Sequence, residues 1–180
     1  MSRDAVLHDL ATFKIEVVGG NEQQARRMIA RGLQVRAEGI GALTPLHTTA
    51  VCGSRDLLER LLDIGADPNA RDTSTNTTPL HSLAAAARPS CCENAEVLIR
   101  HGADVNAVDT AGLTVLHHAV RSGHVRLASR LIAAGASVRA VDHDGNTALH
   151  FAAANHSSRL IRLLIEAGAD VNASNTRGAV

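Results

Sequence analysis

Two series of residues recur along the chain at a nearly constant interval, and this period constrains the fold more than any other feature. Glycines that close successive apolar stretches lie about 33 residues apart, with one longer second interval, at Gly32, Gly65, Gly102, Gly135 and Gly168. A threonine with leucine two residues later and then histidine recurs with nearly the same period, beginning at Thr44, Thr78, Thr114 and Thr147. Such a period is typical of a solenoid, in which each repeat contacts only its neighbours.

Each repeat carries the local signals of two short helices and a turn. Thr44 and Thr78 are good N-cap residues because the hydroxyl oxygen can accept from an unpaired helix N–H, and the proline that follows suits the first helical position. Leucines such as Leu127 and Leu131 recur at helical spacing in the second helix, and the closing glycine can adopt the left-handed conformation of a helix C-terminus. One such pair cannot bury its apolar face alone, so the pairs are expected to stack.

The repeated segments also match a known pattern. The threonine segments read TPLH, TPLH, TVLH and TALH, and the segments after the glycines read GADPNARD, GADVNAVD, GASVRAVD and GADVNASN. In these motifs and in its period the sequence resembles the ankyrin-repeat family over about residues 20–175. The resemblance implies an all-α fold with short hairpin-like turns, an ankyrin-repeat solenoid of stacked helix-turn-helix units.

The two series of residues divide the chain into repeats. We assign a degenerate N-terminal capping repeat to residues 1–40, repeat 1 to 41–72, repeat 2 to 73–109, repeat 3 to 110–142, repeat 4 to 143–175 and the start of an incomplete further repeat to 176–180. Repeat 2 is irregular, because the stretch from Thr78 to Gly102 is longer than the corresponding stretch of every other repeat. The inserted residues fall around 86–92, and the turn 72–77 holds one more. The insertions are either tolerated surface variation or part of a partner site.

Charge and motifs argue against several classes of function. The 18 basic and 18 acidic residues balance, so no net field attracts nucleic acid or an anionic membrane. No phosphate loop, nucleophile elbow or paired-carboxylate motif is present, so we predict neither enzymatic activity nor a cofactor. The basic residues of repeats 3 and 4 have only Phe151 among them, which is too little for the stacking of successive bases. We interpret them as a solvated face: Arg121, Arg126, Arg130, Arg139, Arg159 and Arg162.

Histidine is frequent, but its placement favours a structural role. Four of the ten histidines, His47, His81, His117 and His150, occupy the same repeat position. We therefore expect each of them to hold its helix to its turn by hydrogen bonding, and we predict no metal site.

The three cysteines, Cys52, Cys91 and Cys92, lack zinc-ligand spacing, and we interpret them as small buried hydrophobic residues or inert thiols. No signal-peptide-like apolar run precedes the repeats. We therefore expect an intracellular protein of the cytoplasm or the nucleus.

The resemblance implies a function in protein–protein interaction. Ankyrin repeats present a concave surface built from the turn tips and the first helix of each repeat, and the chain is expected to act through it as a non-catalytic adaptor, scaffold or inhibitor. Its partners would be one or more proteins, with no nucleic acid and no membrane. The corresponding positions in this sequence are Leu43, Val51, Cys52, Arg71, Ser74, Thr75, Thr77, Ala85, Ala86, Val108, Thr110, Ala111, Leu113, Arg121, Ser122, Val141, His143, Asp144, Asn146, Ala154 and Asn155.

Two alternatives remain open. In the first, the chain is a structural module or fragment of a larger ankyrin-repeat protein, or a subunit that self-associates. The reason is that the second helix of repeat 4 carries a dense run of large aliphatic residues over 160–165 and cannot bury them all against one neighbour. It is also a candidate substrate of an asparaginyl hydroxylase that acts on ankyrin repeats. Asn106 and Asn172 each follow a leucine at the spacing that such an enzyme prefers, whereas Pro68 weakens the corresponding site at Asn69.

Overall fold

The computed structural model describes residues 3–33, 43–86 and 91–178. These residues form helix pairs joined by short turns, as the repeat pattern predicts. Residues 87–90, within the predicted insertion of repeat 2, and residues 34–42, which follow the helices of the degenerate first repeat, lie outside the described residues. The helices are α1 (Arg3–Val18), α2 (Glu22–Ala30), α3 (Pro45–Cys52), α4 (Arg55–Asp63), α5 (Pro79–Ala85), α6 (Cys91–Arg100), α7 (Val115–Arg121), α8 (Val125–Ala133), α9 (Ala148–Ala154) and α10 (Ser158–Glu166).

Local chemistry sets the ends of these helices where the sequence predicts them. Thr114 is the N-cap of α7, and its side chain accepts from the backbone N–H of His117. At the other end of the pair, α8 is followed by Gly135, whose φ of 92° lies in the left-handed region. The Gly135 N–H donates to the Ile132 carbonyl at 3.0 Å, and the Ala136 N–H donates to the Leu131 carbonyl at 2.9 Å. These two carbonyls at the end of the helix are therefore paired.

The turns between repeats contain short pairings rather than strands. In the part of the chain that the structure describes, β structure is limited to two isolated antiparallel bridges, Val108 with Thr114 and Val141 with Thr147. Each bridge closes the turn that precedes a first helix. The prediction of short hairpin-like turns in an all-α fold is confirmed.

The chain divides into two compact units. The first comprises Met1–Leu83 and Glu93–Ala103, and the second comprises Ala84–Cys92 and Asp104–Val180. In the first unit α1 packs on α2 and α3, and α4 packs on α2 and α3. In the second unit α7 packs on α8 and α9, and α10 packs on the same two helices.

Leucines at helical spacing form the core of each pair. Leu57 and Leu61 of α4 are buried in the first unit, as are Leu127 and Leu131 of α8 in the second. Small residues of the first helices, such as Ala119 of α7, are also fully buried and allow neighbouring helices to approach closely. The scarcity of aromatic residues fits this arrangement, because thin layers of aliphatic side chains leave little room for rings.

The last helix is only partly buried. Leu160 and Leu164 of α10 are fully buried, whereas Ile161 and Leu163 are half-buried and Ile165 is 45% exposed. The prediction that this helix cannot bury all its aliphatic side chains is therefore confirmed, most clearly at Ile165. What covers the exposed side stays a prediction.

Candidate protein-binding surface

In the first compact unit the predicted surface positions lie at the two ends of α3 and in the turn before α5. Those at α3 are half-buried: Leu43 before the helix, and Val51 and Cys52 as its last two residues. In the turn, Arg71, Ser74 and Thr75 are exposed and Thr77 is half-buried.

One buried carboxylate organises this turn. Asp72 is 3% exposed and accepts hydrogen bonds from the side chains of Ser74, Thr75 and Thr77. Burial by itself would raise the pKa of the Asp72 carboxyl, but these hydrogen bonds outweigh burial and hold its pKa well below the ordinary range. The carboxylate is therefore ionised, and it fixes the polar tip that carries Arg71.

In the second compact unit the predicted positions are mostly exposed at the turn tips and at the ends of the first helices. The exposed ones are Ala85, Val108, Thr110, Ala111, Arg121, Val141, His143, Asp144, Ala154 and Asn155, and the half-buried ones are Ala86, Ser122 and Asn146. Leu113 is the exception. Its backbone N–H donates to the Asp109 carboxylate, and its carbonyl accepts from the Asp109 N–H. Its apolar side chain is buried, with 7% of the residue exposed, so Leu113 is withdrawn from the surface.

Successive turn tips of this unit are hydrogen-bonded to one another. The His143 N–H donates to the Ala111 carbonyl at 3.1 Å, and the Thr176 N–H donates to the Asp144 carbonyl at 2.9 Å. Between the first two tips Gly112 leaves no space for a side chain, because a Cβ there would lie 2.7 Å from Cδ2 of His143. The tips therefore form one continuous, preorganised edge within this unit.

Apolar side chains project from equivalent places on these tips. Val108 is 43% exposed and Val141 is 56% exposed, and each lies one residue before the aspartate that begins its turn. Arg71 holds the same place before Asp72 in the first unit. Exposed apolar residues on a rigid backbone with polar neighbours are typical of a protein contact surface.

The repeated histidines are structural, as predicted. His47 is 1% exposed, and its Nδ1 lies 2.9 Å from Thr44 Oγ1 and 3.3 Å from the Thr44 N–H, while its Nε2 lies 3.0 Å from the Thr77 carbonyl. Because a backbone N–H can only donate, Nδ1 is the acceptor and the proton is on Nε2. Burial lowers the pKa of His47, so the ring is neutral and holds its helix to the turn. The same contact with threonine recurs at His81, His117 and His150.

A buried His–Asp pair joins the last residue of repeat 2 to the first helix of repeat 3, and it is not predicted from the sequence. Nε2 of His118 lies 2.8 Å from Oδ2 of Asp109, and Arg121 donates to its Nδ1 at 3.2 Å. Burial lowers the pKa of His118 more than Asp109 raises it. Burial by itself would raise the pKa of Asp109, but the hydrogen bonds from His118 and from the backbone N–H groups of Ala111 and Leu113 together outweigh it and lower that pKa. The result is a neutral histidine with an ionised aspartate, an arrangement that fixes the turn and orients Arg121 on the predicted surface. The signal was the second histidine of TVLHH, where the other repeats have Thr, Ser or Phe.

Neither metal binding nor membrane insertion finds support in the described residues. No group of three His, Cys, Asp or Glu side chains there is placed to hold a metal ion. No described helix is both long and apolar enough to cross a membrane. The side chains of Cys52 and Cys92 are half-buried, and the side chain of Cys91 lies outside the described part.

The candidate hydroxylation sites differ in how they are held. The Asn106 side chain is bound at both ends: Nδ2 donates to the Gly135 carbonyl at 3.1 Å and Oδ1 accepts from the Ser137 N–H at 2.8 Å. Asn172 is exposed, and its described hydrogen bond is made by the backbone N–H, to Asp170 at 2.9 Å.

Comparison with known proteins gives one consistent result. The family model described as ankyrin repeats (3 copies) matches residues 16–109 and 82–175. Similar curated proteins include the glycerophosphocholine phosphodiesterase gde1 of Schizosaccharomyces pombe, 33% identical over 113 residues, which are 63% of this chain and 10% of that protein. The human ARF GTPase-activating protein GIT1 is 37% identical over 85 residues, 47% of this chain and 11% of that protein. Human SH3 and multiple ankyrin repeat domains protein 2 is 33% identical over 84 residues, 47% of this chain and 4% of that protein. The matched segment is thus about a tenth or less of each relative's length.

Proposed function

The chain belongs to the ankyrin-repeat family, and from this membership we propose that it is a non-catalytic protein-binding module acting as an adaptor, scaffold or inhibitor. Ankyrin repeats are generally protein–protein interaction modules. The observation that carries the proposal for this chain is the preorganised edge of turn tips in the second compact unit, on which Val108 and Val141 are exposed.

The contact surface is proposed to centre on these tips and on the ends of the neighbouring first helices. Rigid tips lose little conformational entropy on binding, which leaves more of the contact energy for affinity. With no tyrosine or tryptophan available, the apolar contact falls to the two valines and the strong polar contact to Arg121, since hot spots favour aromatic residues and arginine. The partner is proposed to be a protein of the cytoplasm or the nucleus.

Quantitative affinity capture tests this proposal. The intact chain is compared with the double variant Val108→Asp/Val141→Asp, and with Ala133→Asp/Ser137→Asp as a control that adds the same charge at exposed positions of the same unit off the tips. Proteins retained by the parent chain and the control, but reduced by about tenfold or more with the valine variant, are the expected result. Equal retention by both double variants would contradict the proposed surface.

A second candidate role is that of a structural module whose last helix is covered by further repeats or by a second copy. The exposure of Ile165 and the half-burial of Leu163 support it. The test adds a polar capping repeat after Asn175 and compares oligomeric state and stability with those of the parent chain. Equal stability and equal monomer content in the two proteins would exclude this role.

A third candidate is modification by an asparaginyl hydroxylase, which the exposed and less tethered side chain of Asn172 favours over Asn106. The chain is expressed with and without such a hydroxylase, and the two peptides are compared by mass spectrometry. A gain of one oxygen, about 16 Da, is expected first on the Asn172 peptide. Unmodified peptides in both samples would exclude this candidate.

A further inference from the structure

A basic groove runs between α8 and α10 of the second compact unit, and none of its lining residues belongs to the predicted contact surface. It encloses about 600 Å³ and is lined by Arg126 and Arg130 of α8 and by Arg159 and Arg162 of α10. Val125 and Leu163, both half-buried, give the groove apolar contact area. Its volume lies within the range of ligand sites, about 300–1,000 Å³. We call it the arginine groove.

The groove carries a net positive charge. Glu166 is the one carboxylate among its lining residues, so four arginines and one glutamate leave a formal charge of +3. All four arginines are exposed, and no ion pair or side-chain hydrogen bond joins Arg126, Arg159 or Arg162 to another residue that the structure describes. Four positive charges that line one groove with a single counter-charge repel one another, and an anion that enters the groove would relieve this repulsion.

The corresponding helices of the first compact unit are neutralised instead. Asp56 of α4 pairs with Arg26 at 2.8 Å and with Arg60 at 3.0 Å. Glu59 pairs with two further arginines at 3.1 and 2.9 Å. The same fold therefore carries an internally paired charged surface in one unit and a basic groove with an excess of arginine in the other.

The difference arises at two repeat positions. Nine residues before the closing glycine, the four repeats have Asp56, Glu93, Arg126 and Arg159. Six residues before it, they have Glu59, Glu96, Ser129 and Arg162. Acids in repeats 1 and 2 are thus replaced by arginine or serine in repeats 3 and 4.

The first of these positions is an unfavourable one for arginine. Arg126 and Arg159 are the second residues of α8 and α10, where the helix dipole favours an acidic side chain and disfavours a basic one. Asp56, the second residue of α4, follows the rule. Two arginines placed against the dipole at the same groove are not explained by folding, whereas recognition of an anion explains both.

We propose that the arginine groove binds an acidic segment of a partner protein. Carboxylates of Asp or Glu would form bidentate pairs with the guanidinium groups, and apolar side chains between them would contact Val125 and Leu163. A protein segment is favoured over nucleic acid because the groove has no aromatic side chain on which bases could stack. It is favoured over a second copy of this chain because Asp56 and Glu59 are already paired within their own unit. This surface is separate from the turn tips and does not depend on them.

Fluorescence anisotropy of labelled peptides tests the proposal on the intact chain. The probe is a short fluorescein-labelled peptide rich in Glu and Leu, and its counterpart has Gln in place of every Glu. The acidic peptide is expected to bind at least about tenfold more tightly than the Gln peptide, and to weaken as salt is added. Equal binding of the two peptides, or none, would overturn the proposal.

Matched variants locate the site. Arg126→Asp/Arg159→Asp places in repeats 3 and 4 the residue type of repeat 1, and Arg31→Asp/Arg177→Asp makes the same change of charge at exposed positions outside the groove. The groove variant is expected to lose at least about tenfold in affinity with a melting temperature equal to or above that of the parent chain, and the control to lose little. Equal losses in both variants would show attraction by overall charge alone and would refute the proposal. Tighter binding of a single-stranded oligonucleotide, or self-association that the groove variant abolishes, would identify a different occupant and refute it as well.

Discussion

Replacing His117 by glutamine would separate the two contributions of a buried histidine, its hydrogen bonds and its neutrality. His117 is 1% exposed. Its Nδ1 accepts from the Thr114 N–H at 3.0 Å and lies 2.9 Å from Thr114 Oγ1. Its ring meets the edge of Phe151 at a centroid distance of 5.7 Å. Glutamine is the ordinary partner of threonine in a capping box, so it can replace the acceptor but neither the ring contact nor the titration.

The cost near neutral pH follows from these contacts. Losing the aromatic contact costs about 0.5–1.5 kcal/mol, and this is the expected destabilisation for His117→Gln. His117→Ala also removes the acceptor, which leaves the N–H of the buried Thr114 without a partner. That adds about 1–3 kcal/mol, so alanine should cost clearly more than glutamine.

The pH dependence should change in a defined direction. Burial lowers the pKa of His117, so below about pH 6.5 the unfolded chain binds a proton that the folded chain does not. The contribution of this histidine to stability is therefore fully present above that pH and is lost as the pH decreases towards the lowered pKa. The loss is at most about 1.4 kcal/mol per pH unit for each such histidine. His47 and His118 act in the same direction in both proteins. The glutamine variant lacks one contribution, so its deficit relative to the parent chain should shrink in acid.

Both effects are measured by urea unfolding at about pH 7.5, 6.5 and 5.5, with the helical signal in circular dichroism as the readout. His8→Gln is the control, because it removes an exposed histidine of α1 in place of a buried one. The reasoning is refuted if His117→Gln and the parent chain lose stability equally on acidification. It is also refuted if alanine is no more destabilising than glutamine.

Two further predictions follow from the same structure. Gly135→Ala should lower the free energy of unfolding by about 1–2 kcal/mol through its positive φ alone, since a Cβ there meets nothing within 4 Å. Gly112→Ala should lower it further, because its Cβ would also clash with His143. Equal unfolding free energies for the two variants would contradict this. Arg126→Asp and Arg159→Asp should each stabilise the chain by about 0.3–1 kcal/mol in thermal unfolding, through the helix dipole. A lowered melting temperature would mean that these arginines serve folding.

Much of the fold can be predicted because its signals are local. The N-cap at Thr114 and the left-handed turn at Gly135 depend on a few neighbouring residues. The period of about 33 residues repeats those signals often enough to be unmistakable. The structural role of His47 and His117 is predicted for the same reason, since each reaches a threonine three residues away.

The candidate sites were less accessible to sequence reasoning, because they depend on residues brought together by folding. Mapping by repeat position placed Leu113 on the surface, but its hydrogen bonds to Asp109 turn it inward. The pairing of His118 with Asp109 joins residues nine apart across a helix start, and no repeat at the same positions offers a precedent.

What the sequence determines by itself is therefore the repeat, the helix pairs, their caps and their turns, since each depends on interactions within about one repeat. Tertiary structure alone decides which charges pair across repeats. Arg100 and Arg162 are both exposed residues of second helices, yet Arg100 pairs with Glu59 of the preceding repeat, whereas Arg162 lines a groove shared with the arginines of α8. The reason is that electrostatic energy depends on distances across neighbouring repeats, and these exist only once the helices are packed.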